Sequence, residues 1–189
     1  MKNWIMKKIR DRRVVMKFSD IEQFTKSGDY EVNIRLNHLE KTLKEYDEDY
    51  GLELNPDFQR GHVWSEEQQR AYVEFFIKGG KTARIIYFNC PSFSGNYEDN
   101  NPMVCVDGLQ RLTAIRRFLN NDLKVFGYYL DEFEDKDIFF RTASKLKFNI
   151  NNLKTKEEVL KWYLDFNTGG TVHSNEEINR IKEMLETLK

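Results

Sequence analysis

Met103-Val104-Cys105-Val106-Asp107-Gly108-Leu109-Gln110-Arg111 is a short apolar run that stops at Asp-Gly and restarts at once as a helix with Gln and Arg in its first turn. It reads as a strand-to-helix elbow. Gly108 supplies the positive φ of a tight turn, and the unpaired N–H groups of the helix start, joined by Arg111, make a seat for an anion such as phosphate. Asp107 fits three roles: holding a hydrated Mg²⁺, orienting an attacking water, or pairing with an arginine. Spacing does not separate them. Arg111 in turn fits either an anionic ligand or an ion pair at the helix start.

Working outward, Ala83 to Cys90 is the strongest strand signal, rich in β-branched and aromatic residues and closed by Pro91. A polar loop runs from there to Pro102. Beyond the elbow, the helix from Gly108 to about Asn120 is expected to bury Leu109, Leu112, Ile115 and Leu119 while showing Gln110, Arg111, Arg116 and Arg117 on its other faces. A further strand is expected over Leu123 to Leu130. Upstream, Ser65 with Gln68 forms a capping box for a helix whose apolar face is Ala71, Tyr72, Phe75 and Phe76, stopping at Gly79-Gly80. Leu36, Leu39, Leu43 and Tyr46 recur at helical spacing as far as Gly51, and Phe18 to Phe24 reads as a short amphipathic helix. Leu52 to Leu54 begins an extended segment, and Pro56 keeps Asn55 out of the α region, so residues 55 to 64 should be extended or looped. The last third reads as helical, with capping boxes at Thr155/Glu158 and Ser174/Glu177 separated by the Gly-rich turn Asn167-Thr168-Gly169-Gly170. Few strands among many helices imply an α+β fold, with one domain over residues 18 to 189 and a helical portion from about 150.

The chain has 189 residues, 40% hydrophobic and 14% aromatic, enough for one sizeable core. It has no apolar run near the roughly 20 residues of a membrane span, and charges occupy its start where a signal peptide needs an apolar region. A soluble, cytoplasmic protein is expected. Cys90 and Cys105 lie in strand-like runs and read as buried free thiols in a reducing compartment. Net charge is −1, so attraction to nucleic acid would have to come from a local patch. One patch exists: Lys2, Lys7, Lys8, Arg10, Arg12, Arg13 and Lys17 stand against a single Asp11 in an arm over residues 1 to 17. It is either a phosphate-contacting arm or a solvated basic segment. Acidic clusters at Glu45 to Asp49 and Asp131 to Asp137 would repel DNA locally.

Three polar knots sit at junctions between elements: Phe58-Gln59-Arg60-Gly61-His62-Val63-Trp64, the Asp-Gly-Leu-Gln-Arg elbow, and Asn167 to Gly170. Two Gln-Arg pairs beside glycines suit a polyanion, because arginine offers a planar donor fork and glutamine adds a neutral donor and acceptor. Trp64 reads as a packing residue or as a stacking surface for a base. His62 is the one histidine within a knot, and a lone histidine more often makes a structural hydrogen bond than acts as a base. The Asn-Thr-Gly-Gly turn is also explained by a helix C-cap and loop. There is no GxxxxGK[ST] phosphate loop, no HExxH and no paired CxxC, and His38, His62 and His173 are far apart. A phosphate-loop NTPase, a structural zinc protein and a zinc-activated HNH nuclease are disfavoured.

In this order the knots resemble the DGQQR proteins, typified by the N-terminal part of the GmrSD modification-dependent restriction endonucleases, in the ParB/sulfiredoxin-like superfamily. The family's QR…VW segment corresponds to Gln59, Arg60, Val63 and Trp64, its DGQQRLT signature to Asp107, Gly108, Gln110, Arg111, Leu112 and Thr113, and its later Asn…Gly turn to Asn167, Gly169, Gly170 and Ser174. The resemblance covers roughly residues 18 to 189. Leu109 stands where the signature has its first Gln, removing one polar group from the elbow, which bears on hydrolysis more than on binding. The resemblance implies a small mixed sheet flanked by helices that binds or hydrolyses a nucleoside triphosphate with Mg²⁺ and so licenses DNA cleavage by an HNH partner domain. The phosphates would be held by Gln59, Arg60, Gly108, Arg111, Asn167, Gly169 and Gly170. Asp107 and Gln110 would be the catalytic residues, with Mg²⁺ at Asp107.

The chain ends where a nuclease domain would begin, so a stand-alone sensor or regulator in a bacterial host or phage-infected cell is expected, with a homodimer or a nuclease or defence protein as partner. The alternative is a non-catalytic DNA- or partner-binding module, such as a phage-encoded mimic or inhibitor of a defence protein, contacting DNA through Lys7, Lys8, Arg10, Arg12 and Arg13 and the exposed Arg116 and Arg117. A ParB-like DNA nickase would need a carboxylate cluster, of which only Asp107 is in place.

Overall fold

The computed structural model describes residue 21 and residues 29–59, 61, 63–93, 101–142, 145–168 and 175–188. The elements run β1 (Asp29–Arg35), α1 (Leu39–Tyr50), α2 (Glu66–Ile77), β2 (Ile85–Asn89), β3 (Val104–Asp107), α3 (Leu109–Leu119), α4 (Lys136–Thr142), β4 (Lys145–Asn151), α5 (Lys156–Thr168) and α6 (Asn175–Thr187). The strands form one mixed sheet in the order β1-β4-β2-β3, with β4 antiparallel to β1 and parallel to β2, and β2 antiparallel to β3. The fold is α+β.

Strand alternation divides the protein into two cores. Ile34, Ile86, Phe88, Cys105, Leu146, Phe148 and Ile150 pack against Leu39 and Leu43 of α1, Tyr72, Val73 and Phe76 of α2, and Leu112, Ile115 and Phe118 of α3. On the opposite face Val106, with Tyr87 and Val104, meets Phe58, Leu160, Trp162 and Tyr163 of α5 and Ile181 of α6. Cys90 and Cys105 are free and buried, as expected. Among the described residues no helix is long and apolar enough to cross a membrane.

The outer edge of β3 is covered by the extended segment after α1. Glu53 donates its N–H to Met103 O at 2.8 Å and accepts from Cys105 N at 2.9 Å, a short parallel bridge that leaves the edge strand partnered. The start of that segment is set by Gly51, which caps α1 in the left-handed region at φ +61°. Its end is set by α2, whose capping box has Gln68 N donating to Ser65 Oγ at 3.3 Å and Ser65 N donating to Gln68 Oε1 at 2.9 Å. Thr155 and Glu158 cap α5 in the same way.

Several sequence expectations are corrected. Leu123 to Leu130 is not a strand: Val125 and Tyr128 exchange backbone hydrogen bonds of 2.8 and 3.1 Å around a two-residue turn in which Phe126 and Gly127 both have positive φ. The exposed N–H of Phe126 is held by Glu74 Oε1 at 3.1 Å. β1 and β4 were not anticipated, so the last third is helical only after Asn151. On α2 the buried positions are Gln69, Tyr72, Val73 and Phe76, while Ala71 and Phe75 face solvent. On α3 Ala114 and Phe118 are also fully buried, and Leu119 is half-buried against the same core. Asn167 and Thr168 belong to α5 and not to a turn. The helix expected at Phe18 to Phe24, the 1–17 arm and the Ser174 cap lie outside the described residues.

Candidate functional site

β3 ends at Asp107, and Gly108 turns the chain into α3 at φ +107°. A Cβ here would stand 2.7 Å from Ile86 Cδ1 and 3.2 Å from Ile86 Cα, so the elbow lies directly on β2. Glycine is required by both the dihedral and the contact. Leu109 is 8% exposed and packs in the larger core. The departure from the family signature therefore falls on an inward-facing position.

Arg111 follows in the first turn of α3. Its Nη2 donates to Asp107 Oδ2 at 2.5 Å and to the Ile85 carbonyl at 3.1 Å. Of the roles left open for Asp107, arginine pairing is thus the one present. Arg111 Nε is buried and has no hydrogen-bond partner among the described residues. A buried donor left unpaired costs about 1–3 kcal/mol, more on a charged group, so this guanidinium holds an unmet demand for an acceptor.

The two glutamines join the elbow to the loop before α2 from opposite sides. Gln59 Nε2 donates to the Cys105 and Val106 carbonyls of β3 at 2.7 and 3.1 Å. Gln110, from α3, accepts on Oε1 from Val63 N at 2.9 Å and Trp64 N at 3.0 Å, and donates from Nε2 to Gly61 O at 2.7 Å. Gln59, Gly61, Val63 and Trp64 are therefore tied along β3 and α3 as a roof beside the elbow. Trp64 rests edge-on against Tyr72, centroids 5.5 Å apart, which is the packing role expected of it. Cys105, fully buried beneath this roof, has its thiol pushed well up by burial and is no nucleophile.

Gln59, Asp107, Gly108, Gln110 and Arg111 are thus brought together from two separate segments. Arg60, His62, Gly169, Gly170, Lys7, Lys8, Arg10, Arg12 and Arg13 lie outside the described residues, as does the side chain of Asn167. Arg116 and Arg117 are not free cations: Arg116 makes two bonds of 2.7 and 2.9 Å to Glu40, and Arg117 binds Gln69 Oε1 at 2.8 Å and the Asp122 carbonyl at 2.9 Å. This corrects the expectation of an exposed arginine face for DNA on α3. Among the described residues no three His, Cys, Asp or Glu side chains gather as metal ligands. A lone Asp107 carboxylate fits Mg²⁺ carried in on phosphates, not a cation held by protein groups alone.

Sequence reasoning did not find the backbone partners of this site, Gly61 O, the Val63 and Trp64 amides and Ile85 O, since carbonyls and amides carry no residue signature. It also missed a cavity of about 400 Å³ near the other end of β3, lined by Phe58, Asn89, Val104, Leu153 and Val159. The lysines at its edge are engaged, Lys154 with the Pro91 carbonyl and Lys156 with Asp57, each at 2.6 Å.

The mixed sheet, the glycine elbow and the clasped loop define an α+β domain organised around a strand-to-helix turn. Residues 39–189 match the GmrSD restriction endonuclease, N-terminal domain, and the chain belongs to this family. No curated protein and no solved structure matches it.

Proposed function

We propose that this chain is a nucleotide-binding domain of a restriction or phage-defence system, acting as a sensor or regulator, and that the elbow receives the phosphates. The observation that carries the reading is the buried Nε of Arg111, without a partner among the described residues, at the first turn of α3, where helix N–H groups also favour negative charge. A phosphate reaching Arg111 takes over from Asp107 as its acceptor and leaves the Asp107 carboxylate to a phosphate-borne Mg²⁺, which supplies charge neutralisation. Arg60 shares the phosphate charge, Gln59 and Gln110 hold the roof and its glycine in register, and Asn167, Gly169 and Gly170 complete the pocket. Hydrolysis, where it occurs, has Asp107 and Gln110 orienting the water.

The test is calorimetry and thermal melting with ATP, GTP and CTP, each with and without Mg²⁺, on wild type, Arg111→Ala and Arg111→Lys. At a free concentration of about 100 times Kd, one nucleotide stabilises wild type by about 2.7 kcal/mol, about 5–10 °C for a chain of this size. Arg111→Ala loses that increment whatever its own baseline, and Arg111→Lys recovers only part of it. If wild type binds none of the three, or if Arg111→Ala binds equally well, the proposal fails. Phosphate release followed in Asp107→Asn then separates binding from hydrolysis.

A further inference from the structure

The acidic stretch after α3 borders an apolar groove. Ile77, Phe118, Leu130, Phe133, Ile138 and Phe139 line a cavity of about 230 Å³, with Asp135 and Lys136 at its edge. Ile138 is 55% exposed, and Tyr128, equally exposed, lies edge-on against Phe133 with centroids 5.7 Å apart. An apolar groove beside charged residues suits a segment that carries both apolar and oppositely charged side chains. The rim carries unspent negative charge. Asp131 is taken by Lys136 at 2.6 Å, but Glu134, Asp135 and Asp137 are exposed and have no ion pair among the described residues. On α1, by comparison, Glu45 and Glu48 are matched by Lys41 and Lys44 of the same helix, while Asp47 and Asp49 have no ion pair among the described residues.

We propose that this groove is the docking site of the chain's own N-terminal arm, residues 2 to 17. The arm has the complementary composition: seven Lys and Arg against one Asp, interleaved with Trp4, Ile5, Ile9, Val14 and Val15. Its apolar residues suit the groove, and Lys7, Lys8, Arg10, Arg12 and Arg13 suit the rim. Reach allows it. The strand β1 carries the chain from Asp29 to Arg35, which pairs with Lys145 just beyond α4, a span of about 20 Å. Residues 18 to 28 extend to as much as about 36 Å, so the arm can return along β1 to the groove. Docked there, the arm's cations are neutralised within the chain, and a polyanion must compete with Glu134, Asp135 and Asp137 for them. The proposal is independent of nucleotide binding at the elbow.

The test uses the full chain with the photo-crosslinking residue p-benzoylphenylalanine in place of Trp4, mapped by mass spectrometry, in wild-type background and with Ile138→Lys and Glu134→Lys combined. Both positions are exposed, and circular dichroism checks that the double variant folds. The expected result is an intramolecular crosslink within residues 130 to 139 that disappears in the double variant and weakens in high salt. Trypsin cleavage after Arg10, Arg12 and Arg13 should accelerate about tenfold in the same variant as the arm is released. Crosslinks between two chains assign the groove to a second copy, and crosslinks to the 59–64 loop place the arm elsewhere. Either result, or no crosslink in the groove, or unchanged cleavage, overturns the proposal.

Discussion

The β3–α3 elbow and the turn between Val125 and Tyr128 pose the same local problem and answer it in opposite surroundings. Each places a glycine at positive φ, Gly108 at +107° and Gly127 at +85°. At Gly108 an added Cβ meets Ile86, whereas at Gly127 nothing stands within 4 Å. The elbow's two glutamines are taken up by the protein's own backbone, while the turn leaves Phe126 and Tyr128 in solvent. A glycine in a turn thus tells where the chain bends, and only the neighbouring strand decides how much depends on it.

The largest effect that sharpens this contrast is expected from Gly108→Ala. A forbidden dihedral combined with overlap against Ile86 should cost about 2–4 kcal/mol in urea unfolding and distort the elbow enough to disrupt nucleotide binding. A loss below about 1 kcal/mol would mean that α3 is not seated on β2 as described. Next comes Gln110→Ala, which strands the Gly61 carbonyl and the Val63 and Trp64 amides at the roof. The expected cost is about 1–3 kcal/mol, with faster hydrogen exchange at Val63 and Trp64 and unchanged exchange in β4. In the open turn the effects shrink. Gly127→Ala pays the dihedral alone, about 1 kcal/mol. Phe126→Asn should be neutral or stabilising by about 0.5 kcal/mol, since asparagine tolerates the φ of +53° better than phenylalanine. If it instead destabilises by more than about 1 kcal/mol, the Lys78 ammonium 5.1 Å above the Phe126 ring matters more than backbone strain.

The same contrast explains what was legible in the sequence. The elbow, the capping boxes at Ser65/Gln68 and Thr155/Glu158 and the glycine stop after α1 are local devices, each fixed by residues within about one helical turn, so spacing alone reveals them. Val125, Phe126, Tyr128 and Tyr129 carry strand propensity, but the positive φ at Phe126 and Gly127 and the bond from Glu74 make a tight turn instead, and tertiary context overrides propensity. β4 was missed although Leu146, Phe148 and Ile150 alternate cleanly. Its other face carries Lys147, Asn149 and Asn151, residues that weaken a strand reading, and Asn149 and Asn151 are buried only because other elements cover them. β1 likewise hides Tyr30, Val32 and Ile34 among Asp, Glu, Asn and Arg. At the site, the participants were legible and their partners were not. Gln59 and Gln110 look like ligand-binding residues in a motif, yet the atoms they reach are backbone groups 46 to 49 positions away.

On the proposed function the phosphates of a nucleotide enter at the elbow, beneath the backbone groups of Gly61, Val63 and Trp64 that Gln110 clasps. Backbone amide chemical shifts, recorded as nucleotide and Mg²⁺ are titrated into the ¹⁵N-labelled chain, test it most directly. The largest changes are expected at Gly108 to Arg111 and at Gly61, Val63 and Trp64, with Lys124 to Tyr129 unmoved. Saturable changes centred on that turn, or on Asn89 and Leu153 at the far end of β3 with the elbow silent, would contradict it.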